Sequence, residues 1–243
     1  MVVLRRLSHL CPLQFASKRL MLGMRMRLVM TESVEPLPTS TVRERPCEVV
    51  LAQDVIYDSC WQQSFSRILP HERGLHYCGI SVDCKNLQGG LDVLKEDLLE
   101  LPNPVLVARG PLMSLIAQYY LESLPLAGLV LVDPILIHHV DVLKELKTRL
   151  RGDRTGIQRE FVNELLTATR PRPLKLEPGA VPILVLQSIQ DDIFRQASHD
   201  VAHRHWDPDR AFGEIPVHDL MSTECDATVA IDLLTEWIDD VVL

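Results

Sequence analysis

Residues 103–134, NPVLVARGPLMSLIAQYYLESLPLAGLVLVDP, limit what this chain can fold into more than any other stretch. Val105, Leu106 and Val107 form an apolar run rich in β-branched side chains. Such a run suits a parallel strand buried on both faces, where neither side can be polar. Arg109-Gly110-Pro111 then makes a tight turn. Beyond it, Leu112, Leu115, Ile116 and Tyr119 recur at helical spacing and give a helix one apolar face. A second apolar run, residues 129–132, ends at Asp133-Pro134. Strand, turn, helix and strand in this order make a βαβ unit.

Strand and helix signals alternate on either side of it. CEVVLAQ starts a strand near Glu48, and SCWQQSFSRILPHE predicts a short helix with Trp61, Phe65 and Ile68 on one side. HYCGISVD predicts a strand ending at Asp83. Leu91, Leu94, Leu98 and Leu101 give a helix that Pro102-Asn103-Pro104 stops. After Pro134 the alternation lapses. Val140, Leu143, Leu146 and Leu150 make one helical face, and Ile157, Phe161 and Leu165 another. Gly152 and Gly156 separate them, and Pro171, Pro173 and Pro178 close the segment. The alternation returns with a strand over 181–186, a helix from Phe194 to about Trp206 and a strand near 211–217. A terminal helix carries the stripe Ala230, Leu233, Leu234, Trp237, Ile238 and Val241.

With 243 residues, 47% of them hydrophobic, the chain can bury one substantial core and is not a disordered sequence. No apolar run approaches the length of a membrane span. The charge is uneven. Residues 1–31 carry Arg5, Arg6, Lys18, Arg19, Arg25 and Arg27 and no acid. Setting those six aside leaves 19 basic residues against 33 acidic ones, a balance of −14. That argues against nucleic-acid binding, which needs a basic face.

An Arg-rich, acid-free leader interrupted by apolar residues has the composition of a mitochondrial or plastid transit peptide. The expected organisation is a leader and linker over 1–46, with Pro36, Pro38 and Pro46 in the linker, and one globular domain over 47–243. The expected location is mitochondrial, with plastid or cytoplasmic as alternatives. Six cysteines (Cys11, Cys47, Cys60, Cys78, Cys84 and Cys225) show no C-x-x-C pair and no zinc-like spacing with histidine. They are expected to be small buried thiols in a reducing compartment. His138-His139 reads as a surface or hinge pair, since neighbours on a helix point apart. Neither a metal nor a cofactor is implied.

The residues of three loops carry a resemblance to the α/β-hydrolase superfamily, over roughly residues 47–243. Residues 103–134 resemble its nucleophile-elbow unit, where the turn reads G-x-S-x-G. Asp191-Asp192-Ile193-Phe194 resembles the loop whose first Asp orients the catalytic histidine. VHDLMS resembles the histidine loop and puts His218 in the histidine slot. The resemblance implies an α/β protein: a three-layer αβα fold on a mostly parallel sheet, with a small helical cap over about 136–178.

The sequence departs from the family pattern where the chemistry should be. Alignment on the strand puts Gly110 in the nucleophile slot, and alignment on the helix puts Pro111 there. Neither can attack a carbonyl. A His-Gly pair, which lends a backbone N–H to the oxyanion hole in the family, is replaced by Gln53-Asp54. A carboxylate there would oppose a developing oxyanion. The D-x-x-G-x-G loop of the family reads DCKNLQGG. Ser114 falls about one helical turn past the slot, and Cys84 lies outside the elbow.

The leading expectation is a pseudo-hydrolase that acts as a binding or scaffold protein. It leaves Asp191 and His218 as a remnant dyad. Two enzymes remain as alternatives: one using that dyad alone for lyase- or oxygenase-like chemistry, and an ester hydrolase with a displaced nucleophile. For a binding protein, Arg109 at a helix N-terminus and Asp54 across from it are the candidate binding residues. Arg109 either marks a pocket for a small anionic ligand or pairs with Asp54 or another carboxylate. A protein partner is the other candidate ligand.

Overall fold

A computed structural model of the protein describes residues 31–36, 42, 44–54, 60–83, 85–150, 155–168, 173–189, 191–209, 213–220 and 226–242. The leader 1–30 and Cys11, Cys84, Gly152, Pro171 and Cys225 lie outside the described residues. The strands are β1 Thr31–Val34, β2 Glu48–Asp54, β3 His76–Val82, β4 Val105–Arg109, β5 Gly128–Val132, β6 Ile183–Gln187 and β7 Val217–Asp219. The helices are α1 Cys60–Ile68, α2 Leu87–Leu98, α3 Pro111–Leu121, α4 Val140–Arg149, α5 Ile157–Thr167, α6 Asp192–His205 and α7 Asp226–Trp237. A wide π-type turn, Leu69–Arg73, prolongs α1, and another, Ile238–Val242, prolongs α7.

Seven strands form one sheet in the order β1-β3-β2-β4-β5-β6-β7. Only β1 runs antiparallel to its neighbour. The central strands β2, β4, β5 and β6 are buried along almost their whole length, as their continuous apolar runs require. Trp61, Phe65, Ala230 and Leu234 of α1 and α7 pack on one face of the sheet. Leu94, Leu115, Ile116 and Val201 of α2, α3 and α6 pack on the other, together with Leu143 and Phe161 of α4 and α5. Sheet and two helical layers give the three-layer αβα architecture that the sequence predicts.

Some boundaries move. Thr31–Val34 is a strand, although the sequence predicts leader and linker throughout 1–46. Its register sets Ser33 against Cys78 and Val34 against Tyr77. An edge strand needs one partner and little burial, so TESV offers no apolar run to read. β7 begins at Val217 rather than near residue 211, which puts His218 inside the strand and not in the loop beyond it. Asn86 caps α2 by accepting the Gly89 N–H at 2.7 Å, and the helix ends at Leu98, short of Leu101. Val140 and Val241 fall off their predicted apolar faces, at 48% and 36% exposure.

A buried polar chain ties the helices on the α3 face together. The Gln118 amide donates to the carbonyls of Ser114 and Ile135 at 3.1 and 3.0 Å. With its nitrogen used, Gln118 turns Oε1 towards His205 Nε2, 3.0 Å away. His205 therefore carries its proton on Nε2, and its buried Nδ1 has no partner among the described residues. A second proton at Nδ1 would be a buried, unpaired charge. Burial, with the neighbouring Arg204 guanidinium adding to it, pushes the imidazole down from 6.5 to about 4.

A histidine depressed in the folded state contributes stability above its unfolded pKa and loses it as pH falls. Acidification from pH 6.5 to 4 should therefore cost the protein about 3 kcal/mol relative to His205→Gln. Urea unfolding of both proteins across that range measures the difference. Parallel curves would show that His205 is not the group that titrates.

Candidate functional site

β4 delivers the chain to Gly110, whose φ of 99° and ψ of 160° turn it sharply into α3. A side chain is strained at that φ, so glycine suits the apex. Pro111 is the first helical residue, where a missing N–H does no harm. Of the two slots left open by the sequence, Gly110 is at the apex and Pro111 one residue on. Gly110 N–H donates to Val132 O at 3.1 Å, which fastens the turn to β5.

Ser114 is completely buried. Its hydroxyl lies 3.0 Å from both Ala108 O and Val132 O, so the proton is engaged by main-chain carbonyls beneath the elbow. This explains a fully buried serine in the first turn of α3.

The pleat separates the two residues at the end of β2. Gln53 sits opposite Arg109 in the register and accepts from its Nη1 at 3.2 Å. The Arg109 guanidinium also lies over the Trp61 ring, 4.6 Å from its centroid, on the α1 face of the sheet. Asp54, one residue on, points to the α3 face and is 4% exposed. Arg109 therefore meets Gln53 and the Trp61 ring on the α1 side of the sheet.

That cavity, of about 200 Å³, lies between the elbow and the helical pair α4–α5. Asp54, Gly110, Pro111, Leu112 and Met113 form its floor. Leu146, Arg149, Leu150 and Gln158 come from the cap, and Ile189 from the loop after β6. The cap contributions were not singled out in the sequence, because a residue's place over a distant strand end has no local signature.

Asp191 and His218 are not brought together. Asp191 caps α6 through the Ile193 N–H at 3.3 Å, and its other oxygen is 2.5 Å from Arg149 Nη2. Arg149 reaches Glu145 as well and lies over the Phe194 ring. His218 is exposed on β7, opposite Leu186, and lines a separate cavity of about 310 Å³ with Leu233 and Trp237. No hydrogen bond or ion pair among the described residues joins the two.

Asp133 is a site residue that sequence reasoning missed. It is 3% exposed, with φ of 53°, at the end of β5. Its carboxyl group accepts from the N–H groups of Ser188 and Ile189 at 2.7 and 2.9 Å and from the Ser188 hydroxyl. Burial raises its pKa, against the pull of these hydrogen bonds and of Arg109. Asp133 thereby sets the course of the loop that carries Ile189 to the cavity. A strand-end Asp before Pro134 was the available signal.

His139 accepts the Leu136 N–H on Nδ1 at 3.2 Å and faces Asp200 at 3.4 Å with Nε2, a hinge contact at the start of α4. Among the described residues no group of three or more His, Cys, Asp or Glu side chains could hold a metal. Cys47 and Cys78 are buried free thiols, which burial pushes up to about 11 and about 12, out of the reactive range. Cys60, by contrast, is exposed. No described helix is long and apolar enough to cross a membrane.

Neither a protein-family profile nor a curated protein matches the chain. Solved structures do. A thermophilic esterase from Thermogutta terrifontis, with malate bound, superposes with a TM-score of 0.58 at 14% identity, over 88% of this chain and 94% of that one. MenH from S. aureus gives 0.56 at 12% identity, over 86% and 98%. Mouse alpha/beta hydrolase domain-containing protein 10 gives 0.56 at 15% identity, over 89% and 97%. Identities this low speak for architecture and not for activity. The chain has the α/β-hydrolase fold.

Proposed function

We propose that this protein is a pseudo-hydrolase: it keeps the α/β-hydrolase fold, lacks serine-hydrolase chemistry, and binds a small molecule in the elbow cavity. The observation that carries this reading is the elbow itself. Gly110 at the apex has no nucleophilic atom, and the Ser114 hydroxyl is turned beneath it into main-chain carbonyls. Pro111 removes the backbone N–H that would follow the nucleophile as an oxyanion donor. Asp54 sets a carboxyl group where charge would develop. Losing one oxyanion donor slows acyl transfer by roughly two to three orders of magnitude. Losing a triad nucleophile costs about a million-fold in a well-studied serine protease.

Base chemistry by Asp191 and His218 alone is less well supported, because Arg149 takes the Asp191 oxygen that a histidine would need. The anionic ligand expected from the sequence depended on Arg109, which is engaged with Gln53 and Trp61. A cavity closed by a helical pair favours a small ligand over a protein partner. The leader, outside the described residues, completes the proposal as a mitochondrial targeting segment.

Purified protein should turn over activated esters no faster than His218→Ala, and a fluorophosphonate probe should leave it unlabelled. Stoichiometric labelling at Ser114 that disappears in His218→Ala would restore the hydrolase. Residues 1–30 fused to a fluorescent protein should direct it to mitochondria in imaging. A diffuse cytoplasmic signal would remove the targeting proposal.

A further inference from the structure

We infer that the elbow cavity takes a small uncharged amide or lactam, held by Gln158 and the start of α3. This rests on the cavity being a binding site, and it names the chemistry of what binds. Gln158 stands in the first turn of α5, is 4% exposed and lines the cavity. No described residue hydrogen-bonds its side chain. A buried residue whose amide has no partner among the described residues and lines a cavity suits a ligand that supplies both a donor and an acceptor.

A second set of donors lies on the cavity floor. The first intrahelical bond of α3 is Ser114 N–H to Gly110 O at 2.8 Å. The N–H groups of Leu112 and Met113 precede it, and Gly110 brings no side-chain cap. Both residues line the cavity, at the positive end of the helix dipole. A carbonyl oxygen suits that position.

Charge narrows the class. Asp54 contributes a buried carboxyl group to the same wall, and Arg149 is already committed to Asp191 and Glu145. An anion at the α3 terminus would meet Asp54, and a cation would meet the helix dipole. Either charge would be buried against one opposing group. A neutral amide avoids both penalties. Its carbonyl accepts from the α3 terminus and from Gln158 Nε2, while its N–H donates to Gln158 Oε1. Leu146, Leu150 and Ile189 form an apolar part of the wall that suits a short apolar ring or chain. At about 200 Å³ the space is below the roughly 300–1,000 Å³ of drug-sized pockets, so the ligand is compact.

2-Pyrrolidinone is the probe, with butyrate and butylammonium as charged counterparts. Titration into the isotope-labelled full chain is followed at the Gln158 side-chain NH₂ signals, identified by their loss in Gln158→Leu. The lactam should shift those signals saturably and bind about tenfold more weakly to Gln158→Leu, the weight of one or two hydrogen bonds. Gln158→Glu, which keeps the shape and replaces the donor by a charge, should weaken it likewise. Lactam affinity unchanged in both variants overturns the assignment to Gln158. Tighter binding of butyrate or butylammonium overturns the ligand class and leaves the binding site standing. No response to any of the three compounds overturns the ligand class and removes the support for binding in this cavity.

Discussion

The elbow rests on two main-chain carbonyls, Ala108 O and Val132 O. Val132 O accepts from Gly110 N–H and also lies within reach of the Ser114 hydroxyl, which lies equally near Ala108 O. One strand end, one turn and the first turn of one helix are thereby locked to the next strand. Each such bond contributes only about 1 kcal/mol net, but an unmade one at this depth would cost more. The lock also lets a helix that is buried on every side carry a serine. Everything on the α3 face takes its position from this point, including the cavity floor and Gln118, which in turn fixes His205.

Around that lock, two arginines hold the strand ends and the cap. The Arg109 guanidinium lies over Trp61 and donates to Gln53, and Arg149 reaches from the cap to Asp191. Both partners of the second pair are about 40% exposed, so the bridge adds less than about 1 kcal/mol to stability. Its consequence is positional. It joins the end of α4 to the start of α6, so the cap is held to the body at the loop that a catalytic carboxylate would occupy. Phe194, under the same guanidinium, gives the contact an apolar base.

Most of the architecture was legible, because buried parallel strands and amphipathic helices write their periodicity into the chain. Residues 105–107, 129–132 and 183–186 could be little else. Legibility failed where an element buries little. TESV at the antiparallel edge has no apolar run, and β7 is too short to set its own register, which moved His218 into the strand. Half of the site was legible too. Asp54, Gly110 and Pro111 line the cavity because strand ends and the helix start of a βαβ unit converge there. Arg109 is in register with Gln53, so the pleat sets those two side chains on the same side of the sheet, a pairing with no local signal in the sequence. Gln158 and Arg149 had no local signal, since the return of the cap over the elbow is decided by packing between α4 and α5.

Asp133 shows how a buried acid can fix a loop. The positive φ of this residue turns its carboxyl group back under the β6 loop, where two N–H groups and a hydroxyl are waiting. Burial raises its pKa, yet these donors and Arg109 all pull the other way. With these bonds Asp133 organises the loop after β6. The loop it holds ends in Ile189, an apolar side chain on the wall of the cavity. Elbow, cap and loop thus converge on one cavity, where the start of α3, Asp54, Arg149 and Gln158 meet the apolar side chains of Leu146, Leu150 and Ile189.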